Sequence, residues 1–303
     1  MCMRSKVVVW TQWNDLKLPE NVEQCVSNGV YPADCDLDRI TFFVPRYMGG
    51  LDAIRDLNKL TAMEVLQSPN AGVDDLIPIR PSGVVLCNAA GVHNDSTAEL
   101  AVGLAIASRR GFRDFAHAQF NGVWNHQRMS TLTDATVAIL GYGEIGKRIA
   151  ELLKPFKTTV VPYTRSGRDG SFKLSEFDNR LSSFDVIILI VPLTNDSKGF
   201  FNDARLSSMK QGAALINVSR GPVVDTDALM KHLASGRITA AIDVTDPEPL
   251  PAGHPLWNSP NLLITPHVGG DSLAFLRRGR KLIEEQVARF ANGEELINII
   301  ARD

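Results

Sequence analysis

Residues 135–146 read Ala135-Thr136-Val137-Ala138-Ile139-Leu140-Gly141-Tyr142-Gly143-Glu144-Ile145-Gly146. A short apolar run ends in G-x-G-x-x-G, and residues 147–153 continue as helix. A strand feeding a glycine turn feeding a helix is the context in which this motif carries weight. Gly141 permits the tight turn, Gly143 lets a pyrophosphate approach the backbone, and Gly146 lets the helix pack close to the strand. The free N–H groups and positive dipole end of the helix, at Glu144 and Ile145, then face phosphate oxygens. The stretch predicts a dinucleotide-binding domain.

Working outward, apolar β-type runs at 137–140, 158–163, 186–191, 213–217, 238–243 and 262–265 alternate with helical patterns at 144–153, 174–181, 202–208, 226–234 and 273–291. That alternation predicts a doubly wound parallel sheet. Upstream, strands are expected at 6–10, 39–44, 63–67 and 83–88, with a helix at 51–60 carried by Leu51, Ile54, Leu57 and Leu60. This is a second, smaller parallel α/β unit. Between the two, Asp95 or Ser96 is positioned to cap a long helix, with Glu99 as the capping-box carboxylate. Gly111 is expected to break that helix. Residues 112–120 resume it with aromatic anchors, followed by Trp124, and this apolar stretch favours a homodimer.

The 303 residues suffice for about two domains. With 32 basic against 34 acidic residues, nothing points to nucleic acid or an anionic membrane as partner. No apolar run approaches the ~18 residues of a membrane span, and the N-terminus reads as a first strand, not a signal peptide. Cys2, Cys25, Cys35 and Cys87 form no C-x-x-C pair. That spacing gives no metal site and is expected of reduced thiols in a cytoplasmic protein.

Ligands of such sheets sit beyond the carboxyl ends of the strands. After the second strand of this domain, the acid that holds an adenosine ribose is replaced by Thr164-Arg165-Ser166. An arginine and a serine there suit a 2′-phosphate, so NADP(H) is expected over NAD(H). After the third strand come Val191-Pro192, after the fourth Asn217-Val218-Ser219-Arg220-Gly221, after the fifth Asp243 through Glu248 to Pro251, and after the sixth Thr265-Pro266-His267-Val268-Gly269-Gly270. Arg220 can orient a carboxylate and polarise a neighbouring carbonyl. His267 can give a proton to the oxygen that becomes negative. Glu248, on the other ring nitrogen, would favour the imidazolium and fix the ring. Hydride transfer to a 2-oxo acid needs those three groups.

These motifs together resemble the D-isomer-specific 2-hydroxyacid dehydrogenase family. The resemblance implies a Rossmann cofactor domain, residues 95–270, inserted in a flavodoxin-like substrate domain made of 1–94 and 271–303. It implies that Arg220, Glu248 and His267 are catalytic, and that backbone N–H groups of the Asn70-Ala71-Gly72 loop hold the substrate carboxylate with Arg220 and His267. Asp243 would lie near the nicotinamide. Val191, Pro192, Ser197, Val218, Ser219, Arg220, His267, Gly269 and Gly270 would join the glycine turn and Thr164–Ser166 around the cofactor. It implies a homodimer, and a reductase of small 2-oxo acids such as glyoxylate, hydroxypyruvate or a phenylpyruvate-like acid. With the sequence ending soon after its C-terminal helix, the regulatory extension of many phosphoglycerate dehydrogenases is not expected. Two alternatives remain: a formate- or phosphite-type dehydrogenase, and a dinucleotide-sensing protein like the corepressors of this fold.

Overall fold

The computed structural model describes residues 6–26, 35–55 and 57–303. The chain divides into two compact units, Met1–His93 with Ser272–Asp303, and Asn94–Asp271. It enters through β1 (Val7–Thr11), β2 (Val22–Val26), β3 (Phe42–Phe43), β4 (Val65–Gln67) and β5 (Val85–Cys87). It crosses into α1 (Asn94–Arg109) and α2 (Phe112–Phe120), then β6 (Thr136–Leu140), α3 (Glu144–Leu153), β7 (Thr159–Thr164) and β8 (Phe172–Lys173). β9 (Val186–Leu189), α4 (Asp203–Ser208), β10 (Ala214–Asn217), α5 (Thr226–Ala234), β11 (Thr239–Ile242) and β12 (Leu262–Ile264) complete the second unit. α6 (Leu273–Ala291) and β13 (Ile299–Ala301) return to the first.

The first unit is a six-stranded sheet in the order β13-β5-β4-β3-β1-β2, parallel except for β13. Alternation along the strands splits its core. Val7, Val9, Phe42 and Val65 pack with Phe275, Ile283, Val287 and Phe290 of α6, while Val8, Trp10, Phe43 and Leu66 pack with Ile54, Leu57 and Leu60. Both faces are covered, which is why the strands are almost wholly apolar.

Three expectations need correction here. The predicted 51–60 helix is two short 3-10 segments, Gly50–Ile54 and Leu57–Lys59, with residue 56 outside the described residues. Its apolar residues recur every third position, which matches three residues per turn better than 3.6. β2 and β13 are not marked by the sequence pattern because both are short edge strands, β2 with Glu23 exposed and Gln24 half-buried, donating to Trp13 O at 2.7 Å. Cys25 and Cys35 are joined in a disulfide with Cα atoms 6.2 Å apart. Reduced thiols were expected, but the fold brings together cysteines that no spacing rule pairs. Cys87 is buried and free, its thiol pushed up to about 11 by burial, and Cys2 lies outside the described residues.

The second unit is a seven-stranded, all-parallel sheet in the order β12-β11-β10-β9-β6-β7-β8. Strand order reverses between β6 and β9, the switch point at which such sheets take ligands. Val137, Ile139, Ile188 and Ile216 face Ala98, Ala101, Leu104 and Ala105 of α1. The alternate residues Ala138, Leu140, Ile187, Leu189 and Leu215 face the opposite core with Phe177, Phe184 and Leu229. α1 begins at Asn94, so Asp95 and Ser96 lie inside the helix instead of capping it, and the Asp95 carboxylate accepts from Arg148 Nε at 2.8 Å. Gly111, at φ 65°, turns the chain from α1 into α2. The segment Leu174–Ser183 is 3-10 helix, not α-helix, and β8 adds a seventh strand. No helix among the described residues is long and apolar enough to cross a membrane.

A wholly buried pair of glutamines ties α6 to the end of β4. Gln286 Nε2 donates to Gln67 Oε1 at 2.7 Å and to Ile297 O at 2.9 Å, and Gln286 Oε1 accepts from Ile297 N at 2.9 Å. Gln67 Nε2 donates to the carbonyls of Ser68 and Asn88 at 2.9 and 3.0 Å. Gln286→Leu strands several buried polar groups and is expected to cost about 2 kcal/mol or more. Urea unfolding measures it, and an unchanged midpoint would contradict the role given to the pair.

Candidate active site

The turn after β6 is a backbone-on-backbone contact. Gly141 sits at φ 103°, and a Cβ on it would overlap the Ile190 carbonyl just past β9. A Cβ on Gly146 would overlap the Gly141 carbonyl. Gly143 precedes α3 in extended conformation, with no side chain capping the helix and open space where its Cβ would stand. The first N–H groups of α3 are therefore unobstructed, which fits a pyrophosphate. Glu144 is exposed, 3.9 Å from Lys147, and Ile145 is half-buried.

At the end of β7 the Thr164 hydroxyl accepts from the N–H groups of Gly167 and Arg168 at 2.9 and 3.1 Å and pairs with Ser171 Oγ at 2.7 Å. Thr164 thus shapes the loop, and Arg165, Ser166 and Arg168 are exposed on it. Past β9, Val191 is half-buried and Pro192 exposed. Ser197 is buried: its hydroxyl donates to Pro192 O and accepts from Thr194 N, at 2.7 and 2.8 Å. Ser219 is likewise buried and donates to Asn217 Oδ1 at 2.6 Å. Each of these three hydroxyls holds its own loop. Val218 is buried beside them.

The rim formed by β10, β11 and β12 carries the titratable groups. Asn217, the last residue of β10, donates from its amide to Arg220 O at 3.0 Å and accepts from Ser219 N at 3.0 Å. Arg220 is half-buried, one guanidinium N–H donating to Ser219 O at 2.8 Å. Gly221 follows, and a Cβ there would overlap the Thr245 carbonyl. That closeness locks the Arg220 turn onto the loop bearing Glu248. Glu248 Oε2 accepts from Thr245 N at 3.3 Å, and Oε1 accepts from His267 Nδ1 at 2.5 Å. Burial pushes the Glu248 carboxyl up, but the hydrogen bond and charge of His267, the Thr245 N–H and the charge of Arg220 together outweigh it and hold the carboxyl below its ordinary value. Arg220, Glu248 and His267 therefore act on one another.

His267 itself is half-exposed and sits at φ 55°. Its Nδ1 serves Glu248, and Nε2 has no partner among the described residues. Asp243, wholly inside the rim, accepts from Thr265 Oγ1, Val268 N and Gly269 N. Gly269 is buried and Gly270 half-buried next to it. The spacing of motifs does not show these duties of Asn217, Asp243 and Gly221; the only signal is their position at the strand ends.

In the other unit, Ser68 Oγ accepts from Asn70 N, Asn70 O accepts from Ala89 N, and Ala71 O accepts from the Asn88 amide. The N–H groups of Ala71 and Gly72 have no recorded acceptor among the described residues. His93 is buried, donates from Nε2 to Pro69 O at 3.0 Å, and stacks with Tyr47 and Phe275. Arg46 is exposed. His232 is buried against Asp203, and His254 caps a 3-10 turn through Leu256 N.

Residues 102–269 match the family described as D-isomer specific 2-hydroxyacid dehydrogenase, NAD binding domain. The chain is 36% identical to the Homo sapiens glyoxylate reductase/hydroxypyruvate reductase over 222 residues, 68% of this chain and 67% of that protein. It is 27% identical to the mitochondrial formate dehydrogenase of Solanum tuberosum over 292 residues, 89% of this chain and 76% of that one. A crystal structure of a D-isomer specific 2-hydroxyacid dehydrogenase from Xanthobacter autotrophicus Py2, in complex with NADPH and MES, superposes with a TM-score of 0.80 at 25% identity, covering 98% of each chain. The protein is thus an oxidoreductase and belongs to the D-isomer specific 2-hydroxyacid dehydrogenase family.

Proposed function

We propose that the protein reduces small 2-oxo acids of the glyoxylate and hydroxypyruvate class to D-2-hydroxy acids, with NADPH preferred over NADH. The observation that carries the reading is the His267–Glu248 pair, with His267 Nε2 unpartnered among the described residues and the charge of Arg220 acting on the same carboxylate.

When bound, the nicotinamide supplies the hydride or takes it back. His267 gives its Nε2 proton to the carbonyl oxygen as negative charge gathers there, and in the reverse direction takes that proton. Glu248 keeps the ring oriented by accepting from Nδ1. Arg220 holds the substrate carboxylate and polarises the carbonyl. In the loop of Asn70, Ala71 and Gly72, the N–H groups of Ala71 and Gly72 are assigned to a carboxylate, since that of Asn70 donates to Ser68 Oγ. Gly141, Gly143, Gly146 and the start of α3 hold the pyrophosphate, with Val191, Pro192, Val218, Gly269 and Gly270 around the nicotinamide. Formate leaves as carbon dioxide and needs no proton donor, so the Glu248 partner argues against that substrate. NADPH preference rests on Arg165, Ser166 and Arg168, exposed on a loop with no acid from Tyr163 to Arg168. Asp169, the next residue, is paired with Lys147 at 3.2 Å. A homodimer is proposed through the arm of α2 and its continuation, where Phe120 is 89% and Trp124 94% exposed.

A panel of 2-oxo acids assayed with both cofactors tests the reading; no oxidation of either cofactor would favour a dinucleotide sensor. In the same assay Arg165→Ala is expected to weaken NADPH about tenfold and leave NADH unchanged. Equal effects on the two would remove the 2′-phosphate assignment. His267→Ala is expected to lower turnover by about 10²–10⁴-fold with cofactor affinity nearly intact. Because the folded pKa of Glu248 lies below its ordinary 4.5, the pair is complete above that value and is lost as pH falls through the depressed one. Glu248→Gln should lower turnover and abolish that acid limb of the pH profile. Light scattering should report a dimer that Trp124→Glu dissociates; a monomeric parent chain would exclude it.

A further inference from the structure

At the amino ends of β4 and β5 the first unit keeps a cavity of about 190 Å³. Its walls are Val65 and Val85, which begin those strands, with Phe290 near the end of α6 and Leu296 beyond it. Val65, Phe290 and Leu296 are buried, so the interior is apolar. The loop of Asn70, Ala71 and Gly72 follows β4 and so belongs to the opposite end of the same sheet. The mouth of the cavity is charged. Glu294 stands just past α6, and Arg302 directly follows β13. β13 runs antiparallel to β5, with Ala301 opposite Leu86, which returns Arg302 to the amino end of that strand. Glu64, just before β4, lines the same mouth. Gly83 is there too, at φ 78°, and a Cβ on it would meet nothing within 4 Å, so the entrance is open on that side.

Glu294 and Arg302 border one cavity, yet neither forms an ion pair among the described residues. Glu294 Oε1 accepts from the Asn292 amide at 3.3 Å, which leaves its other oxygen for a ligand. The charge of Arg302 acts on the buried Cys87 thiol, so it is felt inside the sheet as well as at the surface. The carbonyl end of α6, a 19-residue helix, adds partial negative charge on the Glu294 side and favours a cation there. The cavity is smaller than the ~300–1,000 Å³ of sites for drug-sized ligands, which excludes a nucleotide. A cation and an anion carried close together on one small molecule, with an apolar tail, match all three features. We infer that the cavity binds a free α-amino acid with an apolar side chain of leucine to phenylalanine size. Its ammonium group meets Glu294, its carboxylate meets Arg302, and its side chain enters between Val65, Phe290 and Leu296. Burial of the side chain supplies the attraction, and the two charge-assisted contacts fix the orientation. A simple amine or a simple carboxylate would satisfy only one of the two charges. The site lies wholly within the first unit and does not depend on the 2-oxo acid reductase reading.

The test is calorimetric titration of the whole chain with L-phenylalanine and L-leucine. Three analogues run beside them: phenethylamine lacks the carboxylate, 3-phenylpropanoate lacks the ammonium group, and glycine lacks the side chain. At least one of the two amino acids is expected to saturate a single site per chain by about 10 mM, with each analogue at least about tenfold weaker. Glu294→Gln and Arg302→Gln, both at the mouth, are each expected to weaken binding about threefold or more. In the parent protein the bound amino acid is expected to slow hydrogen exchange in residues 83–85 and 290–296. That measurement needs no variant and decides the matter if either one does not fold. No saturation by either amino acid by about 10 mM would overturn the inference. So would binding that both variants leave unchanged, or that leaves exchange in those two segments unchanged, since the amino acid would then sit elsewhere. An analogue that binds as tightly as the amino acid would overturn the role given to the group it lacks.

Discussion

The second unit depends on places where backbone meets backbone with no side chain between. Gly141 lies against Ile190, Gly146 against Gly141, and Gly221 against Thr245. Each contact joins the carboxyl end of one strand to a neighbouring segment, and together they set how closely the loops of the rim approach. The first two draw α3 down onto β6 and open its N-terminus toward the strand ends. The third brings the Arg220 turn to the loop that bears Glu248. A methyl group at any of the three would force the segments it separates apart; at Gly221 it would part the Arg220 turn from the loop that bears Glu248.

Around those contacts the site is built in two shells of different chemistry. Side chains with an outward end, Arg220, Glu248 and His267, are half-exposed. Beneath them Asn217, Ser219, Asp243 and Thr265 exchange hydrogen bonds that leave little freedom to the turns above. Burial by itself would favour the neutral form of Glu248; the positive groups around it reverse that. The carboxylate is therefore ionised through the neutral range, and the ring it holds keeps one orientation.

Most of the second unit was legible because its strands are buried on both faces and read as apolar runs, with helices of regular period between them. The segments Thr226–Ala234 and Leu273–Ala291 form helices with the predicted bounds. The glycine motif and the Arg, Glu and His types at successive strand ends were readable for the same reason: their chemistry is local. Thr164, Ser197 and Ser219 also hold their own loops, through partners only two to five residues away: Gly167 N, Pro192 O and Asn217 Oδ1. Segment 51–60 forms 3-10 turns because its apolar residues recur every third position and not every 3.6. The edge strand β13 and the hydrogen bonds of Asp243 depend on partners distant in sequence, whereas the Cys25–Cys35 disulfide spans a separation of 10 that no spacing rule marks.

The first unit is discontinuous, and that has a consequence for the order of synthesis. One face of its sheet, with Val7, Val9, Phe42 and Val65, is closed by Ile283, Val287 and Phe290 of α6. Those residues leave the ribosome only after the whole of Asn94–Asp271. At about 5–20 residues per second that interval is on the order of ten seconds or more. Only at its end does the inserted unit have its complete sheet and both its cores, while throughout it the first unit presents a half-covered apolar sheet to its surroundings. The nascent chain is thus most prone to misassociate in the part that was made first, and becomes safe only when its last helix arrives.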